Sequence, residues 1–129
     1  MTKKYKILIV DDDPDFVLAH RIILEANGYD VVEASNGAEG LQKTREEKPD
    51  LIILDVSMDM KDDGFYVSHD IKRDPDISHI PILMVTAIHD KTRLRFDPET
   101  DGEYLPVEEF IEKPIEPDVL IEKIKEYLK

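Results

Sequence analysis

Cysteine and tryptophan are absent from this chain of 129 residues. Without cysteine there are no disulfides, no thiolate zinc sites and no cysteine nucleophiles, a composition that fits a reducing compartment. Long hydrophobic runs are missing too. Apolar stretches such as Ile7 to Val10 and Leu51 to Leu54 are too short for a membrane span or a signal-peptide core, despite Lys3 and Lys4 near the start. Basic residues are in the minority, 17 Lys and Arg against 30 Asp and Glu, giving a net charge of −13 and a pI near 4.6. Affinity for a phosphate backbone comes mostly from Lys and Arg releasing counterions, so this balance argues against nucleic-acid binding. Repeats, low-complexity tracts and Gly/Ser linkers are also lacking, which predicts one domain over residues 1–129. Together the absences predict a soluble, cytoplasmic protein that engages neither membrane nor nucleic acid.

Hydrophobic residues make up 41% of the chain, and a globule of this size buries roughly two-thirds of its unfolded surface without staples. Their pattern alternates between two kinds of segment. Runs rich in Ile, Val and Leu at Tyr5 to Val10, Asp30 to Ala34, Leu51 to Leu54, Ile82 to Val85 and Glu109 to Ile111 read as strands covered on both faces. Between them lie helix patterns. One runs from about Pro14 to Asn27, capped by Asp13 and stopped by Gly28, with an apolar stripe through Phe16, Ala19, Ile23 and Ala26. A second begins after Asn36 with Glu39 in a capping-box position. A third is expected from about Gly64 to Asp74, and the last from Pro117, with Leu120, Ile124, Tyr127 and Leu128 on one face. Strands alternating with helices predict a doubly wound α/β fold, a five-stranded parallel sheet of flavodoxin-like order 2-1-3-4-5. Ligands then bind beyond the carboxyl ends of strands 1 and 3, where the order reverses.

That rim concentrates chemistry. Strand 1 ends in Asp11, Asp12 and Asp13, strand 3 in Asp55, strand 4 in Thr86 and strand 5 in Lys113. Asp13 reads as a helix cap rather than a ligand. Asp11, Asp12 and Asp55 in one crevice repel one another unless a cation offsets the repulsion. Oxygen donors without histidine point to a hard ion, and Mg²⁺ suits one or two carboxylates plus phosphate and water. A carboxylate nucleophile with Mg²⁺, the Thr86 hydroxyl and the Lys113 ammonium is equipment for making an aspartyl phosphate.

The segments Lys6-Ile-Leu-Ile-Val-Asp-Asp-Asp-Pro14 and Leu51-Ile-Ile-Leu-Asp-Val-Ser-Met58, with the pairs Thr86-Ala87 and Lys113-Pro114, resemble the response-regulator receiver domain of two-component signalling. The resemblance covers essentially the whole chain. It implies that Asp55 is the phosphoacceptor, that Asp11 and Asp12 hold Mg²⁺, and that Ser57 offers its backbone carbonyl to the same ion. It further implies that Thr86 and Lys113 contact the phosphoryl group and that Phe110 is a switch aromatic responding to Thr86. Implied partners are a sensor histidine kinase or histidine phosphotransfer protein, a downstream protein and a second copy of the chain. The expected role is that of a stand-alone phosphorelay module rather than an enzyme.

Two stretches depart from the family's pattern. Asp59 follows Met58 where proline is usual, and the loop before Gly64 is one residue longer. The interval from Thr86 to Lys113 is several residues longer than usual and contains Pro98, Gly102 and Pro106, so an irregular fourth-helix region is expected, with a short helix near Lys91 to Phe96. That leaves the usual signalling face, Asp90 to Pro106, altered. Ile88, two beyond Thr86, is expected to slow loss of the phosphate. His20, His69, His79 and His89 have no ligand-like spacing and are expected at the surface. Two other readings compete. One is a small Mg²⁺-dependent phosphatase of the haloacid-dehalogenase type using Asp11, which leaves Asp55 without a purpose. The other is a receiver-like scaffold that acts unphosphorylated.

Overall fold

The computed structural model describes residues 4–56, 61–86, 109–112 and 115–128. In chain order the elements are β1 (Lys6–Val10), α1 (Pro14–Ala26), β2 (Asp30–Ala34), α2 (Gly37–Glu47), β3 (Leu51–Val56), α3 (Lys61–Arg73), β4 (Ile82–Thr86), β5 (Glu109–Glu112) and α4 (Pro117–Tyr127). All strand pairs are parallel, and the sheet order is β2-β1-β3-β4-β5. Its body is β2-β1-β3-β4, with β5 a four-residue strand at the edge.

The near-continuous apolar strands are explained by two cores, one on each face. Leu8, Val10, Ile52, Leu54, Ile82 and Met84 point to one side, where Val67 and Ile71 of α3 and Leu41 of α2 meet them. Their neighbours Ile7, Ile9, Ile53, Leu83 and Val85 point to the other, against Val17 and Leu24 of α1 and Leu120 and Ile124 of α4. Side-chain direction alternates along a strand, so a strand buried on both faces carries no polar period.

Local signals set the helix ends. Asp13 caps α1 by accepting the Asp15 N–H at 3.0 Å, and Pro14 takes the first helical position, where its missing N–H costs nothing. At the other end Gly28 has φ +88°, and the Tyr29 N–H returns to the Leu24 carbonyl at 3.1 Å. Asn36 caps α2 through the Glu39 N–H at 2.8 Å, while the Glu39 carboxylate reaches back to the Ser35 N–H and hydroxyl at 2.5 and 3.0 Å.

These bonds hold the Glu39 carboxyl below its ordinary pKa, chiefly through the Ser35 backbone N–H, then the Ser35 hydroxyl, with Lys43 nearby adding to the effect. A depressed carboxyl stabilises the fold above its unfolded pKa, near 4.5, and that contribution disappears as pH falls through the lower folded value. Glu39→Gln is therefore expected to show a shallower fall in Tm from pH 5 to pH 3 than the wild type, measured by circular dichroism. Parallel curves would show that the bond carries no pH dependence.

Three expectations need correcting. The buried residues of α1 are Val17 and Leu24; Phe16 and Ile23 are only half-buried, and Ala19 and Ala26 are exposed. Burying a methyl group gains little, so the larger side chains decide which face meets the sheet. Helix α3 begins at Lys61, three residues before Gly64, and ends at Arg73, short of Pro75. Strand β3 continues through Asp55 to Val56, because Asp55 and Val56 pair with Val85 and Thr86 of β4. The irregular fourth-helix region, with Ile88, Lys91 to Phe96 and the whole of Asp90 to Pro106, lies outside the described residues. Among the described residues no helix is long and apolar enough to cross a membrane.

Candidate functional site

The site grows out of the end of β1. Val10 is fully buried and pairs with Ala34 and Leu54, so Asp11 emerges level with Ser35 on one side and Asp55 on the other. The Asp11 N–H donates to the Ala34 carbonyl at 3.0 Å, extending the ladder one residue past the strand. Its Oδ1 accepts the Asp13 N–H at 2.9 Å. Asp11 is thus held through backbone and side chain at 2% exposure, while Asp12 beside it faces solvent. One carboxylate is fixed and the next is presented, both by the tight turn that starts α1.

Asp55 lies within β3 beside Val85, and Thr86 ends β4 in register with Val56 and Glu112. Phe110 lies in β5 opposite Met84. These backbone positions bring Asp11, Asp12, Asp55 and Thr86 to the carboxyl edge of the sheet. The side chains of Asp55, Thr86 and Phe110 are not among those described, and Ser57 and Lys113 lie outside the described residues. Accordingly, no cluster of three metal-ligating side chains occurs among the described residues.

A cavity of about 510 Å³ opens beside Asp11 and Asp12, walled by Glu33, Ser35 and Glu39 on one side and by Leu18 of α1 on the other. Its charged lining is wholly acidic, which concentrates cations at the mouth. The donors at Asp11 and Asp12 are hard oxygens, with neither thiolate nor imidazole among the residues that line the cavity. A carboxylate buried as deeply as Asp11 has lost most of its hydration, a cost that a bound cation offsets. On both counts these residues fit a hard divalent ion better than a soft one.

Sequence reasoning found Asp11, Asp12 and the Asp13 cap but missed the strap behind them. Arg21 of α1 reaches Glu33 of β2 at 2.5 Å and Glu25 at 3.3 Å, and these bonds, Glu33 first, raise the guanidinium pKa still further. Glu33 lies 12 residues away in sequence, a separation at which no local pattern signals a contact. Of the histidines expected at the surface, His79 is exposed, whereas His69 is half-buried and the half-buried His20 stacks on Phe16 with ring centroids 3.9 Å apart; His89 lies outside the described residues.

Residues 7–125 match the sequence model of the response regulator receiver domain. The chain belongs to that family. This receiver is 32% identical over 126 residues to the protein PilH of Pseudomonas aeruginosa, an alignment covering 95% of this chain and 97% of PilH. It is 35% identical to the polar-differentiation response regulator DivK of Brucella anthropi, covering 95% and 94%. Among solved structures, a CheY-like receiver domain protein from Methanospirillum hungatei superposes with a TM-score of 0.81 at 30% identity, covering 98% of this chain and 94% of that one. The receiver is therefore a phosphoacceptor module of two-component signalling, a family whose acidic pocket typically binds Mg²⁺ and whose partners are histidine kinases or phosphotransfer proteins.

Proposed function

We propose that this receiver takes a phosphoryl group on Asp55, with Asp11, Asp12, Asp55 and the Ser57 backbone carbonyl supplying the ligands of Mg²⁺. The observation that carries the reading is the placement of Asp11, buried, held at both ends, and delivered one residue past Val10 in the register that sets it beside Asp55. The Asp55 carboxylate attacks the phosphorus of a phosphohistidine on a sensor kinase or phosphotransfer protein. A P–O bond forms as the P–N bond breaks, and the leaving imidazole keeps the electron pair and takes up a proton. The Thr86 hydroxyl donates to one phosphoryl oxygen and the Lys113 ammonium pairs with another. Bound Mg²⁺ neutralises charge on the phosphoryl oxygens.

Thr86 at the end of β4 and Phe110 in the adjoining β5 then form the two-state element through which the new charge alters contacts with a downstream protein or a second copy. On this reading the chain is a cytoplasmic signalling module that turns over no separate substrate. Neither the family match nor the relatives favour the phosphatase alternative.

The test is intact-protein mass after incubation with acetyl phosphate, with and without Mg²⁺. One phosphoryl adduct that requires Mg²⁺ is expected. A wild type that gains no mass under either condition would make the unphosphorylated scaffold the better account.

A further inference from the structure

Helix α2 approaches β1 more closely than any side chain on residue 40 would allow. A Cβ built on Gly40 would lie 2.9 Å and 3.1 Å from the two γ-carbons of Val10, the first a distance that real Cβ atoms essentially never show and the second tighter than nine in ten of their contacts. Val10 cannot easily yield. It is β-branched, fully buried, and clamped in register between Ala34 and Leu54. The helix cannot easily yield either: Gly40 donates its N–H to the Asn36 cap carbonyl at 2.8 Å, and its carbonyl accepts the hydroxyl of the buried Thr44 at 2.7 Å. Gly28, by contrast, has nothing within 4 Å of such a position.

Val10 is the residue before Asp11. A displacement of Val10 passes through one peptide unit to Asp11, whose backbone N–H donates to the Ala34 carbonyl and whose carboxylate accepts the Asp13 N–H. The layer Ala34, Val10 and Leu54 lies directly beneath Ser35, Asp11 and Asp55. We infer that Gly40 is a positioning residue for the acidic site: its missing side chain lets α2 seat the end of β1 where Asp11 and Asp12 can share a divalent cation. Mg²⁺ demands near-ideal octahedral geometry, and ligand sites tolerate errors of only about 0.5 Å, a tolerance that relieving a 2.9 Å approach to ordinary contact at 3.4 Å would use up if Val10 alone moved. The inference rests on the metal assignment proposed above.

The experiment is calorimetric titration of the intact protein with Mg²⁺ alone, on the wild type, Gly40→Ala, Val10→Ala, the double variant, and Ile124→Val as a control in the opposite core. Gly40→Ala is expected to raise the Kd for Mg²⁺ at least fivefold and to shift the amide resonances of residues 11–13 in the metal-free protein. Adding Gly40→Ala to Val10→Ala, where the γ-carbons are gone, is expected to change the Kd less than twofold. Ile124→Val should lower Tm and leave the Kd unchanged. The double variant also keeps the test readable should Gly40→Ala alone fold poorly. A wild type that binds Mg²⁺ while Gly40→Ala binds it equally, or equal weakening by Gly40→Ala with and without Val10, would overturn the positioning role alone. A wild type that takes up no Mg²⁺ would overturn the metal assignment and this inference with it.

Discussion

Asp55→Asn is expected to gain no phosphoryl group from acetyl phosphate, whereas Asp11→Asn should still gain one, slowed by at least roughly tenfold. The two substitutions are nearly isosteric, and their different consequences follow from different tasks. An amide oxygen at position 55 is a poor nucleophile, so the bond to phosphorus does not form at all. At position 11 the amide oxygen can still accept the Asp13 N–H that Asp11 Oδ1 accepts at 2.9 Å, so the turn into α1 survives and only the charge is lost. Intact mass read over time separates the cases. An adduct that persists in Asp55→Asn and vanishes in Asp11→Asn would transfer the acceptor role to β1, which is the chemistry of the phosphatase alternative.

How much of this could be read from the chain depended on how local each cause is. The cap at Asp13, the turn at Gly28 and the pairing of Asn36 with Glu39 involve residues within a few positions of one another, and all appear in the structure as the sequence implies. Burial on both faces was equally legible, since Ile7 to Val10 and Leu51 to Leu54 show no polar alternation. Non-local causes were not. Whether β3 stops before Asp55 or carries it inside the ladder is decided by Val85 and Thr86, which are 30 residues farther on in each pairing. The face that α1 buries is set by how the helix meets the sheet, and two stripes, one through Phe16 and Ile23 and one through Val17 and Leu24, compete in the sequence. The close approach of Gly40 to Val10 belongs to the same class, because a glycine within a helix advertises weakness until its neighbour is known.

If Asp11 and Asp12 hold Mg²⁺, the metal must stabilise the fold, and the size of the effect is calculable. A ligand that binds only the native state contributes RT ln(1 + [L]/Kd), about 2.7 kcal/mol at a hundred times Kd. For a chain of this length that corresponds to a rise in Tm on the order of 10 °C. The physical source is specific to the site: Asp11 is 2% exposed beside Asp12, whereas Glu33 is paired with Arg21 and Glu39 is engaged with Ser35, so a cation at the mouth of the cavity chiefly meets the carboxylates of Asp11 and Asp12, which otherwise repel one another. Asp11→Asn should therefore lose most of the Mg²⁺-induced rise while Glu39→Gln, whose carboxylate is engaged with Ser35, keeps it. Scanning calorimetry in saturating Mg²⁺ against chelator reads both. An equal rise in wild type and Asp11→Asn would mean that the cation acts elsewhere on this acidic surface, by general screening rather than at the end of β1.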